Sequence, residues 1–358
     1  MAIANDSDLN TPYSDGWWLV RLYEQLREQQ KRCKALRDRY EGDAPLPFVS
    51  DIQKTAVKWF VSKSRTNYER IIVDAVLSRL RIRGIRTAVD DDEGGDAEAF
   101  QTWKKARGKL FTLDVHEMLL SESMSFLIVG KDTQGRLLVT AEDPELVTAI
   151  CDPADPYRAL AALKLFHDDV QQADVAYLYL PGRLRVAKKP RKRMPGSADV
   201  RFNPRAFDWD DDIVNDAGEL VYEGASGPID WLQETTDLPA AVPVIPFFNG
   251  RDLAHARAYF EPFLPHIDRL NQQMLQRMTI ATIQAFKQRA FKGLPKTDPD
   301  TGELIDYDQI FTTDPGAVWN IPETVEIWES GAVDTGPLVN SYRDDVKDLF
   351  AVSGTPGY

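Results

Sequence analysis

The chain has 358 residues, 43% of them hydrophobic and 28% charged, an ordinary globular composition that excludes wholesale disorder. Lys and Arg total 43 against 56 Asp and Glu, a net charge of −13. A protein that wraps nucleic acid by neutralising phosphates is normally basic overall, so any contact with DNA is expected to be local and weak.

Length alone suggests about two domains. Cys33 and Cys151 lie far apart and give neither a disulfide framework nor a zinc pattern, which fits a reducing compartment. The first residues lack the basic and apolar regions of a signal peptide. No apolar run approaches the ~18 residues of a membrane span. A soluble intracellular protein is expected.

The first predicted element is an amphipathic helix in DGWWLVRLYEQLREQQKRCKALRDRYEGD. Leu19, Leu22, Leu26, Cys33, Leu36 and Tyr40 recur at roughly helical spacing, and Gly42 sits where a C-cap glycine belongs. A second helix is predicted through NYERIIVDAVLSRLRI, with Ile72, Val76 and Leu80 on one face and an end at Gly84. After the acidic stretch DDDEGGDAE comes a helix in AFQTWKKARGKLFTLDVHEMLLSESMSFLIVG, followed by a buried strand. SFLIVGKDTQGRLLVTA reads as a hairpin turning at Asp132 to Gly135, and AALKLFHDD, VAYLYLPGRLRVAKK and LVYEG as further strands. The polar stretch among them, with its acidic run Asp208 to Asp212, is expected to form surface loops.

Val242 to Asp252, VPVIPFFNGRD, carries Pro243 and Pro246, which cannot donate ladder hydrogen bonds, so it is expected at a sheet edge. From Pro265 to about Arg289, with no Gly or Pro after the opening proline, one long helix is predicted. Its polar face is rich in glutamine, namely Gln272, Gln273, Gln276, Gln284 and Gln288, where a solvated helix would alternate Glu and Lys. Short strands with Asp-Thr-Gly and Asp-Pro-Gly turns follow, and Pro337 opens a last helix with Leu338, Tyr342, Val346 and Leu349 in one stripe and Gly354 as its stop.

Signatures of catalysis are not found. No G-x-x-x-x-G-K-[ST] phosphate loop and no G-x-S-x-G elbow occurs. His116-Glu117 lacks a second histidine, and DDDEGG (Asp90 to Gly95) places Gly94 where a calcium loop needs a ligand. DWDDD has no partner in the sequence, so neither a metal nor another cofactor is expected. Two basic groups stand out on this acidic chain. Lys188, Lys189, Arg191, Lys192 and Arg193 surround a proline and read as a contact loop or a solvated tip. Lys287, Arg289 and Lys292 end the long helix, where the macrodipole alone would favour cations.

Four stretches, in this order, carry a resemblance: RYEGD after the first helix; NYERIIVDAVLSRLRIRGIR; VPVIPFFNGRD leading to PFLPHIDRLNQQM; and DPGAVWNIPE followed by a helix ending AVSGTPGY. Together they resemble the portal proteins of tailed bacteriophages, of the siphophage type. The resemblance implies an α+β subunit of several domains: residues 1–250 a wing-like α/β domain, 251–292 a first stem helix region, 293–333 a small β-containing clip, and 334–358 a returning stem helix. Family members continue with a tunnel loop, a further helix and a crown, which no segment of this sequence matches. The implied function is non-enzymatic. A ring of about twelve copies at the capsid vertex would form a channel for double-stranded DNA in packaging, head–tail joining and ejection. Implied partners are the terminase packaging motor, the head–tail adaptor, and the major capsid and scaffolding proteins, with no membrane. The implied location is the virion, and the host bacterial cytoplasm during assembly. Arg277, Lys287, Arg289 and Lys292 become candidates to face the channel, and Trp319 and Trp328 to anchor clip contacts. A metal-dependent enzyme acting on nucleic acid, or another head–tail connector protein, remains the alternative.

Overall fold

The computed structural model describes residues 12–48, 61–87, 95–132, 134–190, 192–193, 213–214, 220–223, 230–235, 239–285, 289–297, 302, 304–305, 307, 325–329, 331 and 334–356. They form an α+β protein of six helices and several antiparallel sheets. The chain divides into two compact units. Unit 1 holds residues 1–45, 66–267 and 347–358, and unit 2 holds 46–65 and 268–346.

Unit 1 is organised by helix α1 (Asp15–Tyr40), capped by the Ser14 hydroxyl, which accepts from the Trp17 amide at 3.1 Å. The other helices before the sheets are α2 (Tyr68–Leu77), α3 (Ala97–Lys105) and α4 (Gly108–Ser121). A three-stranded sheet in the order β11-β1-β2 comprises β1 (Met124–Lys131), β2 (Leu137–Glu142) and β11 (Val244–Phe248). A five-stranded sheet in the order β10-β6-β5-β4-β3 comprises β3 (Val147–Asp152), β4 (Asp155–Asp168), β5 (Ala173–Leu180), β6 (Arg183–Pro190) and β10 (Asp230–Thr235). Three short strands, β7 (Lys192–Arg193), β8 (Ile213–Val214) and β9 (Leu220–Glu223), pair in the order β7-β9-β8.

Strands β4 and β5 of this sheet are buried on both faces, which explains why they read as nearly continuous apolar runs. Successive strand residues point to opposite faces. Ala161, Leu163, Leu165, Ala176, Leu178 and Leu180 therefore meet Leu19, Leu22, Tyr23 and Leu26 of α1. The intervening Ala162 and Tyr179 pack with Met124 and Phe126 of β1, Val244 and Phe248 of β11, and Cys33. Leu22 and Leu26 are completely buried, each worth about 1.5–3 kcal/mol of apolar transfer.

Edges are treated differently from faces. From α1, Gln25 donates to the Ala149 carbonyl at 2.8 Å, Gln29 to that of Val147 at 2.7 Å and Gln30 to that of Glu145 at 2.6 Å. Neutral side-chain amides thus occupy carbonyls at and just before the edge strand β3. At the edge of the other sheet, β11 places Pro246 opposite Phe126 of β1, so VPVIPFF is an edge segment.

Three predicted elements differ in extent. Helix α2 stops at Leu77, because the following Arg-Leu-Arg-Ile-Arg alternates with period two and presents no helical stripe. The predicted helix before β1 is two helices. Arg107 adopts φ 61° between them, and Gly108 lies so close under Trp103 that an added Cβ would come within 2.1 Å of the indole. In unit 2, helix α5 (Leu264–Ala285) ends at Ala285, and Arg289 to Lys292 form strand β12 instead of a last helical turn. Pairing with β13 (Glu326–Glu329) overrides the local helical pattern there. Helix α6 (Gly336–Ser353) ends at Gly354, with φ 66°. DDDEGG up to Gly94, DWDDD and Gln288 lie outside the described residues.

Replacing Gln29 by Met removes the donor to the Pro144 and Val147 carbonyls and the acceptor for the Thr148 hydroxyl. This should cost about 1–2 kcal/mol. Urea denaturation should show a larger loss than Gln30→Met, which removes the bond to Glu145.

Candidate functional site

Within unit 2, the α5 segment and the α6 segment lie side by side and antiparallel. Arg269 Nη2 and Gln273 Nε2 both donate to the Asp345 carboxylate, at 2.7 and 2.6 Å. One further turn along α5, the Arg277 guanidinium stands 5.1 Å from the Tyr342 ring centroid, a cation–π contact. Residues 269, 273 and 277 recur every four positions and so share one face. Between the two helices the chain forms the antiparallel ribbon of β12 and β13, in which Ala290 opposes Trp328 and Lys292 opposes Glu326.

This arrangement locates the channel and clip candidates. Arg277 is half-buried against Tyr342. Lys292 is exposed and stands 3.3 Å from Glu326, also exposed. Arg289 begins β12, opposite Glu329. Trp328 is 59% exposed and its neighbour Ile327 51% exposed. Lys287 and Trp319 lie outside the described residues. Of the glutamine face, Gln273 is used within the chain by Asp345, whereas Gln276 is exposed.

The basic cluster of unit 1 is not one loop. Lys188 and Lys189 lie near the end of β6, and Lys192 and Arg193 form β7, while Arg191 lies outside the described residues. Their cross-strand neighbours are largely acidic: Lys188 opposes Asp230, Lys189 opposes Asp174 and Lys192 opposes Glu223. Strand register, which sequence spacing could not reveal, sets three of these positions opposite acidic ones, while Arg193 stands opposite Tyr222.

One cluster was not legible from the sequence. Arg37, in the last turn of α1, forms a fork with Glu122, Nε to Oε1 at 3.0 Å and Nη2 to Oε2 at 2.8 Å. Nη2 also reaches Asp143 at 2.7 Å, and Nη1 lies 3.2 Å from Glu145. The three carboxylates offer oxygens within 4.8 Å of one another. Such a set could suit a divalent cation, but here the guanidinium supplies the positive charge. Among the described residues Arg37 contacts all three acids, and the Glu122 and Glu145 side chains are only 5% and 11% exposed. Burial pushes the Glu122 carboxyl up to about 7 despite Arg37, and the Asp143 and Glu145 charges add to the rise. The Cys33 thiol, one turn earlier on α1 and 3.7 Å from the Glu122 carbonyl, is pushed up by burial and then by these acids, so it stays protonated.

Unit 1 also contains a cavity of about 670 Å³ beside α1, β3 and the Asn-Gly-Arg-Asp turn. Its charged groups already have partners. Arg32 is held by Glu261 and the Ala256 carbonyl, and Asp252 by His255 at 2.7 Å. Burial raises the Cys151 thiol in its wall to about 11, which disfavours a thiolate nucleophile. His116 lies half-buried in α4, its pKa lowered by desolvation.

In comparison with known proteins, no family model and no curated protein matches the chain.

Two substitutions separate charge from packing at the cluster. Arg37→Met removes the guanidinium shared by three carboxylates and should destabilise unit 1 by about 3–5 kcal/mol at pH 8. Glu122→Gln keeps an acceptor for Arg37 while removing one negative charge. A carboxyl whose folded pKa is raised from 4.5 to about 7 contributes stability below 4.5 that is lost as pH rises through 7. Melting temperatures across this window should therefore fall less with pH in Glu122→Gln than in the wild type. An unchanged slope would show that Glu122 is ionised throughout.

Proposed function

We propose that this chain is a portal subunit of a tailed bacteriophage, one copy of a ring of about twelve through which double-stranded DNA passes at the capsid vertex. The observation that carries the reading is the excursion in unit 2: a long helix leads into a small β ribbon and a second helix returns antiparallel, tied through Asp345 and Tyr342. In the portal family this order of elements is stem, clip and stem. Two further features support it. A two-stranded ribbon is marginal alone in water, and this one leaves Ile327 and Trp328 more than half exposed, as expected of a surface covered by neighbouring copies. The chain is also acidic, so a wall made from it would offer DNA few phosphate contacts and let it slide.

On this reading the protein is not an enzyme, and it requires no cofactor. Its partners are other copies of itself, the DNA, the packaging motor, the head–tail adaptor, and the capsid and scaffolding proteins. It belongs to the virion and is assembled in the host cytoplasm. Arg277 serves the stem pair first, because Tyr342 holds it. Lys292 is the better placed cation for a screened, repeated belt of charge along the channel.

Negative-stain microscopy and light scattering of the purified chain should reveal rings of about a dozen copies. A stable, well-folded monomer at micromolar concentration would overturn the reading. Trp328→Ala should weaken ring assembly while leaving the melting temperature of the dissociated chain within about 1 °C, since an exposed side chain contributes little to monomer folding. Lys292→Gln should preserve the ring and change DNA retention in a salt-dependent way. Retention that is identical at low and high salt would remove Lys292 from the channel.

A further inference from the structure

Two groups of arginines stand out in unit 1. Arg32, Arg37, Arg39, Arg183 and Arg185 each lie within 3.3 Å of a carboxylate. Arg79, Arg81 and Arg83 do not. All three are exposed, and their side chains form no ion pair or hydrogen bond among the described residues. Arg86, also exposed, follows three positions later. From Ala75 to Val89 the sequence carries these four arginines and no acid, on a chain whose net charge is −13.

A helix end does not account for them. Helix α2 stops at Leu77 and the macrodipole acts within the last turn, so it explains Arg79 at most. From Leu80 to Thr87 the backbone is neither helix nor strand, and it is held at both ends. The Leu80 amide donates to the Leu77 carbonyl at 3.1 Å, and the Asp96 amide to the Ile85 carbonyl at 2.8 Å. The Thr87 hydroxyl donates to the Asp96 carboxylate at 2.6 Å. A merely solvated run would intersperse both signs.

A guanidinium fork pairs with phosphate or carboxylate, and the density of charge favours phosphate. Each residue advances the chain by at most about 3.6 Å, so Arg79 and Arg86 stand no more than about 25 Å apart. Over that length a nucleic-acid duplex offers roughly 15 phosphates, one per ~1.7 Å of axis, so every guanidinium can find one. A fully acidic polypeptide strand offers about half that density, one charge per ~3.4 Å. Between the arginines stand Leu80, Ile82, Gly84 and Ile85, whose side chains cannot hydrogen-bond base edges.

We infer that Arg79, Arg81, Arg83 and Arg86 form a sequence-independent contact for the phosphate backbone of a nucleic-acid duplex. The contact lies in unit 1, whereas the channel candidates Arg277, Arg289 and Lys292 belong to unit 2. It does not depend on the ring.

Asp90 to Glu93 follow in the sequence, so the test keeps them in place by using the full chain. Anisotropy of a fluorescent DNA duplex about 20 bp long is measured across a salt series. Four phosphate contacts contribute about −3.6 to the slope of log K against log salt. Arg79→Gln/Arg81→Gln/Arg83→Gln should make that slope shallower by about 2.7 with an unchanged melting temperature. Should that variant unfold, Arg81→Gln/Arg83→Gln replaces it, with an expected change of about 1.8. Removing three other exposed cations, Lys34, Lys109 and Lys131, by Gln should leave the slope as it is. An equal change there would reduce the contact to general charge and overturn the inference. Polyglutamate that competes as well as DNA would make the partner an acidic protein, and also overturns it. So does a wild-type chain that fails to bind at the lowest salt. Rings on which the arginine variants bind as the wild type does overturn this inference and leave the ring reading intact. A monomeric chain that binds DNA through these arginines upholds the inference and ends the ring.

Discussion

A single guanidinium holds the junction on which unit 1 depends. Arg37 joins the end of α1, the α4–β1 connection at Glu122 and the β2–β3 turn at Asp143 and Glu145. These segments lie 85 to 106 residues apart in sequence for the two hydrogen-bonded acids. With three acids around one guanidinium in partial burial, the arrangement depends on the fork geometry being kept. The same helix supplies Leu22 and Leu26 to one face of the sheet, amides to the β3 edge and Arg32 to Glu261. Core packing, edge closure and charge pairing thus converge on α1.

Much of this was legible in the sequence where the signal is local. The stripe Leu19 to Tyr40 predicts α1, and its members are buried. Pro243 and Pro246 predict an edge strand, and β11 is one. The Asp132 to Gly135 turn predicts the β1–β2 hairpin, and Asp132 closes it through the Gln134 and Arg136 amides. Long-range partners were not legible. Nothing around Arg37, Glu122, Asp143 or Glu145 marks them as one cluster, because only the folded sheet and helix bring them together. Likewise Arg289 looks like a helix-terminal cation until β13 claims its segment.

The glutamines of the two long helices show how one residue type meets two needs. Along α5 they suggest a face shielded from bulk water, and Gln273 proves to serve Asp345 within the same chain. Along α1 they look like an ordinary solvated run, yet Gln25, Gln29 and Gln30 are the capping groups of an edge strand. Composition reports that polar, uncharged side chains are present, whereas only register reports whether they face carbonyls, acids or solvent.

The glutamine caps also bear on the order of events during synthesis. Gln29 precedes its acceptor Val147 by 118 residues, and Gln25 precedes Ala149 by 124. At roughly 5–20 residues per second, the helix that will cover β3 leaves the ribosome roughly 6–24 s before the strand does. A nascent edge strand is most vulnerable to pairing with another chain in the interval before its own cover arrives. Here the cover is made first, so β3 emerges into the presence of the helix that closes it, and the time for which that edge stands open is set by docking and not by translation.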